Sequence, residues 1–373
     1  MKISEIDKNL ALNINTSDEN TVFMNVLDEP FEISGVLLPD EKEPYYRRMP
    51  QELADRVSPG VADLNHHTAG GHIRFRTDSP YISLHSVQSS ICLMPHMTVV
   101  GIGGFDLYCK ADDEDEDQQE HYAGSFIPPF NHTTGYDAIV RLPDSRMRTF
   151  TVHMPLYGGV NELYLGFDRN ATIEAPPART YKPVAYYGSS ITQGGCASRP
   201  GTSYQAIISR ALDCGQVNLG FSGNGKGEPE VAEYIAGMEL SAFVMDYDHN
   251  APTTEHLLAT HEPFFRIIRK AQPNLPVIFV SRPPQPIGPN ACEIGPYQEE
   301  RRQAILKTYH KALEEDDKNV YFVNGGEFFD AFAGDCATVD GNHPNDYGFV
   351  LMALGILPVL EKALQGQCPC TPD

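Results

Sequence analysis

Two short blocks carry residue types that together perform nucleophilic catalysis. The first reads Gly188-Ser189-Ser190-Ile191-Thr192-Gln193-Gly194; it follows an apolar run and precedes a helix start. The second, far downstream, reads Asp340-Gly341-Asn342-His343-Pro344. A serine hydroxyl is a poor nucleophile until a base takes its proton, and neutral imidazole does this near pH 7. A carboxylate beside the imidazole fixes its tautomer and stabilises the imidazolium that forms. A serine on a tight strand-to-helix turn, paired with Asp-x-x-His near the C-terminus, predicts a serine hydrolase. Taken alone, the first block leaves both Ser189 and Ser190 as candidates.

These residues need a scaffold, and the periodicity supplies two. Residues from about 20 to 173 show short apolar runs with period-2 alternation, as in His72-Ile73-Arg74-Phe75-Arg76-Thr77 and Tyr81-Ile82-Ser83-Leu84-His85-Ser86-Val87. Gly, Pro, Asn and Asp break the runs. Many short strands at this spacing predict an antiparallel, jelly-roll-like β-sandwich over residues 1–175. Glu174-Ala175-Pro176-Pro177-Ala178-Arg179-Thr180 reads as an extended connection. Beyond it, over 181–373, apolar runs at 184–187, 217–221, 242–245, 277–280 and 320–323 alternate with helical patterns. Thr202-Ser203-Tyr204-Gln205 has the form of a capping box opening one of these helices. Others are expected near 230–238, 255–270, 297–313 and 346–364. The alternation predicts an α/β domain, a parallel sheet with helices on both faces.

In such sheets ligands bind outside the C-terminal ends of the strands. That places four polar loops together: the Ser190 turn, Ser222-Gly223-Asn224-Gly225, Asp246-Tyr247-Asp248-His249-Asn250, and the Asp340–His343 block. On these four blocks, residues 181 to about 365 resemble the SGNH hydrolase superfamily, also called GDSL-type esterases, with their three-layer α/β/α fold. The resemblance implies Ser190 as nucleophile, since Gly188-Ser189-Ser190 matches the family's Gly-Asp-Ser with Ser in place of Asp. It implies Asp340 and His343 as orienting acid and base. It implies an oxyanion hole from the backbone N–H groups of Ser190 and Gly223 and the side-chain amide of Asn250, where the family's Gly-x-Asn-Asp becomes Asp248-His249-Asn250-Ala251. A glycine at 223 suits this role because a side chain would obstruct close approach. With Ser189 replacing the usual carboxylate, Asp246 or Asp248 is expected to carry charge into the same region.

Other residues keep two readings. His249 either contacts the leaving group or braces its loop. Arg199 either lines the pocket or pairs with a surface carboxylate. Cys196 lacks an activating base and reads as a packing residue. His66, His67 and His72 have no acidic or cysteine partner at a telling spacing and are assigned to loop or strand surface. The acidic run from Asp112 to Glu120 reads as a solvated hairpin tip or a disordered loop. Cys368-Pro369-Cys370 reads as a frayed terminus, with metal binding or a strained bridge as the alternative. No metal or cofactor is expected.

Composition bounds the partners. The 373 residues carry a formal net charge of −22 with no basic stripe to offset it, which disfavours nucleic acid, anionic membrane surfaces and polyanionic substrates. No apolar stretch approaching a membrane span stands out, and the N-terminus shows no signal peptide. The eight cysteines are scattered rather than clustered, so a cytoplasmic protein with reduced thiols is expected. The oligomeric state is not legible. The order of sandwich then hydrolase domain resembles carbohydrate acetyl esterases. A small acylated substrate, specifically an acetylated oligosaccharide, is therefore expected. The absence of Trp argues against a large aromatic platform for polymeric glycan. A lipase- or thioesterase-like activity on longer acyl chains is one alternative. A glycan-binding protein with a vestigial hydrolase site is the other.

Overall fold

A computed structural model describes residues 20–111, 119–284, 296–329 and 334–365. Most of the acidic run, together with Cys292, Cys368 and Cys370, lies outside them. The chain forms two compact units.

The first unit is antiparallel throughout. One sheet runs β1 (Thr21–Asn25), β9 (Gly158–Asp168), β4 (Tyr81–Ile91), β7 (Gly135–Arg141). The other runs β10 (Ile173–Glu174), β3 (His72–Thr77), β8 (Arg148–His153), β5 (Phe105–Ala111), β6 (His121–Phe126), with β2 (Glu32–Ser34) also on β3. Period-2 alternation aims Phe75, Phe105, Phe126 and Phe150 of the second sheet at Ile82, Leu84, Leu165 and Phe167 of the first, in one core. Phe75 stacks on Phe150 and meets the edge of Phe167, both with ring centroids 5.4 Å apart. The expected surface position of His67 and His72 is not what forms, because both are buried. β2 covers this end of β3, and the Ser34 hydroxyl meets His72 Nε2 at 2.8 Å while Nδ1 meets the Gly70 carbonyl at 3.0 Å. A buried imidazole with both nitrogens satisfied belongs to the core. His66 is half-buried, its ring 4.4 Å from that of Tyr45.

The second unit is an all-parallel sheet of β11 (Tyr181–Gly188), β12 (Cys214–Gly220), β13 (Ala242–Asp246), β14 (Val277–Val280) and β15 (Val320–Val323), in the order β12-β11-β13-β14-β15. The expected helices form as Tyr204–Leu212, Pro229–Ala236, Thr254–Ala271, Pro296–Glu314 and Asp346–Leu364. Their apolar faces and the sheet share a core that includes Phe243, Phe264, Phe265, Phe279 and Ile305. The last helix is long and apolar enough to cross a membrane, which the sequence reading did not anticipate. It buries Phe349, Met352, Ile356 and Leu360 and packs against helix Tyr204–Leu212 and β15, as a core helix does.

The units are not divided by one cut in the chain. Arg48–Asn65, expected within the sandwich, belongs to the second unit as two short helices, Gln51–Val57 and Pro59–Leu64. Arg199–Gly201 belongs to the first. Both exchanges have a hydrogen-bonding cause. Arg48 is buried and donates to carbonyls at the end of β12, while the Gly201 N–H donates to the Asp106 carboxylate at 2.9 and 3.1 Å.

Candidate active site

Strand order reverses around β11, with β12 on one side and β13 on the other, so the crevice that such a reversal opens lies at the ends of these three strands. β11 ends at Gly188, level with Gly220 of β12 and Asp246 of β13. The short helix Ser190–Gln193 follows at once. Its N-cap is Ser189: the hydroxyl accepts from Ile191 N at 3.1 Å, and Thr192 Oγ1 accepts from Ser189 N at 3.1 Å. The capping box thus forms here and not at Thr202, where the sequence reading placed one. Thr202 Oγ1 instead donates to Asp346 at 2.7 Å, and Ser203 is the N-cap of helix Tyr204–Leu212 without a side-chain capping bond. Serine is among the best N-cap residues, so the position usually held by Asp is filled by a residue that can do the same local work.

The turn is locked from below. Thr192 O accepts from Asn218 Nδ2 at 2.7 Å and Gln205 Nε2 at 2.5 Å, and Gln193 Oε1 accepts from Ser222 N at 3.1 Å. Asp246 Oδ2 accepts from Tyr204 OH at 2.9 Å and Thr192 Oγ1 at 3.2 Å. Burial pushes the Asp246 carboxyl up to about 7, against the two hydroxyls that lower it. Of the two carboxyl groups expected to carry charge in place of the missing one, Asp246 reaches the Ser189–Thr192 turn, but burial keeps it protonated up to about pH 7; Asp248 does not reach the turn.

Ser190 itself is half-buried at the start of that helix. Its Oγ lies 2.9 Å from His343 Nε2, and His343 Nδ1 lies 2.8 Å from Asp340 Oδ2. The Asp340–His343 segment is a self-bonded turn. Asp340 Oδ1 accepts from the backbone N–H groups of His343 at 2.8 Å and Asn342 at 3.0 Å, Thr338 Oγ1 accepts from Gly341 N, and Val339 N donates to His343 O. Partial burial works against ionisation of Asp340, but the His343 backbone and ring and the Asn342 N–H overcome it and hold the carboxyl at about 2. With Nδ1–H donated to a carboxylate, Nε2 carries the lone pair that faces the Ser190 hydroxyl.

Gly223 sits in an exposed turn after β12 with φ +68°. A Cβ there would meet no protein atom within 4 Å, so within the protein it is the left-handed backbone that calls for glycine. Asn250 ends the 3-10 turn Asp248–Asn250 after β13. One of its amide hydrogens goes to the Phe221 carbonyl at 2.8 Å. That carbonyl also accepts from Asn224 N at 2.8 Å and Gly225 N at 3.1 Å, so one oxygen ties the Gly223 turn to Asn250. Asp248 is buried and anchors the Asn250 turn: Oδ1 accepts from Arg301 Nε at 2.6 Å and Oδ2 from Arg282 N at 3.1 Å. Arg301 Nη2 also donates to the Asp248 and Ala251 carbonyls. Arg301, on helix Pro296–Glu314, has no signal in the sequence that separates it from its neighbouring charges.

His249 lies on the same anchored turn. Burial first, then the charges of Arg282, Arg301 and His343, hold its imidazole neutral, well below the usual histidine range. Its Nε2 is shielded and has no hydrogen-bond partner among the described residues. Arg199 is placed with the first unit. Its Nη1 donates to Asp106 Oδ2 at 2.9 Å and to the Tyr108 hydroxyl, and its guanidinium lies 4.1 Å from the Tyr122 ring centroid. It pairs with a carboxylate, as one reading had it, but with a fully buried one. Cys196 is buried, which with the Asp340 charge pushes its thiol up to about 12.

Comparison with known proteins bears on this geometry. Residues 181–361 match the GDSL-like lipase/acylhydrolase family. Residues 21–173 match the GxDLY domain, the N-terminus of SGNH-hydrolase-type esterases. The chain spells that pattern as Gly104-Phe105-Asp106-Leu107-Tyr108, and its Asp and Tyr are the residues that hold Arg199. Among solved structures, a GDSL-like lipase from Bacteroides ovatus ATCC 8483 is 27% identical, with a TM-score of 0.81 over 94% of this chain and 100% of that one. The salicylyl-acyltransferase SsfX3 of a tetracycline biosynthetic pathway is 18% identical (TM-score 0.74, 94% and 99% covered). A family two carbohydrate esterase from Clostridium thermocellum, solved with cellohexaose, is 14% identical (TM-score 0.58, 80% and 93% covered). No curated protein matches. The chain is thus an esterase-type hydrolase that joins a GxDLY N-terminal domain to a domain of the GDSL/SGNH hydrolase family.

Proposed function

We propose that the protein is a serine esterase that removes acetyl groups from oligosaccharide esters by way of an acyl-enzyme. The observation that carries this reading is the hydrogen-bonded run Ser190 Oγ, His343 Nε2, His343 Nδ1, Asp340 Oδ2, with spacings of 2.9 and 2.8 Å. In the first step Nε2 takes the hydroxyl proton as Oγ attacks the ester carbonyl carbon. Asp340, ionised at any pH well above about 2, stabilises the imidazolium. The oxyanion is held by the Ser190 and Gly223 N–H groups and by the Asn250 amide hydrogen that Phe221 does not use. Imidazolium then gives its proton to the leaving alkoxide. Water, deprotonated by His343, cleaves the acyl-enzyme, releases acetate and restores Ser190.

The substrate class rests on two supports. The protein's net charge of −22 favours a neutral ester over a polyanion. Several proteins of similar fold are carbohydrate esterases, one of them solved with a cello-oligosaccharide. A series of p-nitrophenyl esters together with acetylated oligosaccharides, followed by mass loss, tests both points. The expected result is fastest turnover on acetate and loss of acetyl mass from the oligosaccharides. Fastest turnover on octanoate or longer would replace this reading with a long-chain acylhydrolase.

A further inference from the structure

We infer that Arg48, which lies in the stretch matched by the N-terminal domain, is a positioning residue of the oxyanion site. The inference rests on the function proposed above. Arg48–Asn65 is part of the second unit. Its ends are clamped together by Asn65, whose Oδ1 accepts from Met49 N at 2.9 Å and whose Nδ2 donates to Met49 O at 3.0 Å. The Arg48 side chain is 2% exposed. Its Nη2 donates to the Leu64 carbonyl at 2.5 Å. Its Nη1 donates to the Gly220 carbonyl, and to the Asn218 carbonyl at 3.4 Å. The guanidinium carbon stands 4.4 Å from the centroid of the Phe221 ring.

Arg48 therefore grips the last residues of β12 and the Phe221 ring. Phe221 is the residue whose carbonyl gathers the Gly223 turn and Asn250. A planar fork suits this task, because it meets two carbonyls at fixed angles and lies flat on an aromatic face. The same segment touches the turn a second time. A Cβ on Gly60 would stand 2.1 Å from Asn224 Oδ1, so helix Pro59–Leu64 is pressed against the residue after Gly223. Loss of the Arg48 grip frees the β12 end to move. A shift of about 1 Å in donors aimed at a developing charge costs roughly 10²-fold in rate while leaving ground-state binding nearly intact.

The test uses the full-length chain carrying Arg48→Met or Arg48→Lys, with active sites counted by fluorophosphonate titration. In Arg48→Met, kcat per titrated site is expected to fall about 10- to 100-fold with KM within about twofold. Affinity for a boronic acid that forms an anionic tetrahedral adduct on Ser190 should fall in parallel. Arg48→Lys should recover part of both, by keeping the charge without the fork. A folded Arg48→Met with parental kcat and boronate affinity overturns the inference. So does a loss confined to the number of titratable sites. If Arg48→Met does not fold, Arg48→Lys carries the test: kcat per titrated site and boronate affinity should both fall below the parent, and parental values in folded Arg48→Lys overturn the inference. Unchanged ester hydrolysis in Ser190→Ala would instead sink the esterase reading itself.

Discussion

The turns that carry the two halves of the proposed proton relay are built differently. The nucleophile turn is buried and held by distant residues: Ser189, Thr192 and Gln193 are fully buried, and Asn218, Gln205, Tyr204 and Asp246 fix them from other elements. The base turn holds itself. Asp340 and His343 are partly exposed, with side chains 37% and 20% accessible; the bonds that shape their turn lie within residues 338–344, and His343 Nε2 reaches out of it to Ser190 Oγ. Apart from Ser190 itself, substitutions in the first turn should therefore act through stability, and substitutions of Asp340 and His343 in the second through chemistry. Local bonding of the base keeps its geometry independent of the core, while tertiary bonding of the nucleophile excludes alternative turn conformations.

The largest separation of the two effects is expected at Asp340. Asp340→Asn should lower kcat by about 10³–10⁴-fold, by analogy with the orienting acid of other triads. Its thermal midpoint should stay within a few degrees of the parent. A midpoint that collapsed along with activity would erase the contrast.

The Asn250 turn extends the comparison to a third case, a site loop held by a buried ion pair. Removing Arg301 leaves the Asp248 carboxylate buried without its partner, which typically costs about 3–5 kcal/mol. Denaturant unfolding of Arg301→Met should show a loss of that size. A loss below about 1 kcal/mol would mean that the pair does not anchor the turn.

Asp246 gives the nucleophile side a pH signature. Its folded pKa is raised, from 3.8 to about 7. The folded state thus keeps a proton that the unfolded chain releases above about pH 4. That contribution is complete below pH 3.8 and is lost as pH rises through about 7. Between pH 5 and 8 the parent should lose thermal stability with a steeper slope than Asp246→Asn, which still accepts from both hydroxyls but does not titrate. Equal slopes would show that Asp246 contributes no such term. The smallest effect is expected at Ser189→Ala, about 1 kcal/mol from the lost cap, measured by thermal unfolding.

What the sequence made legible follows the same division. Asp340 and His343 are bonded through residues next to them, so the block Asp-x-x-His is readable by eye. The parallel sheet and the five helices expected with it were readable because short continuous apolar runs alternate with helical patterns. Ser190 needed the family resemblance to be told from Ser189, since both lie on the turn and only tertiary packing buries one. Arg48 and Arg301 were invisible. Each is one arginine among other charges, and its role depends on where the fold brings a carbonyl or carboxylate. The two helices of Arg48–Asn65 are a turn or two long, too short to stand out from the strand grammar around them. His72 was misassigned for the same reason: its partner, Ser34, arrives from a different strand.

Everything proposed for the site depends on Ser190 being the nucleophile. Incubation with a fluorophosphonate, or rapid quench with an activated acetyl ester, followed by intact-mass and peptide analysis, tests it most directly. One adduct per chain is expected, on the peptide containing Ser189 and Ser190 and fragmenting to Ser190. Ser190→Ala should give no adduct and no ester hydrolysis. An adduct on another residue, or a Ser190→Ala variant that hydrolyses acetyl esters at the parental rate, would contradict it.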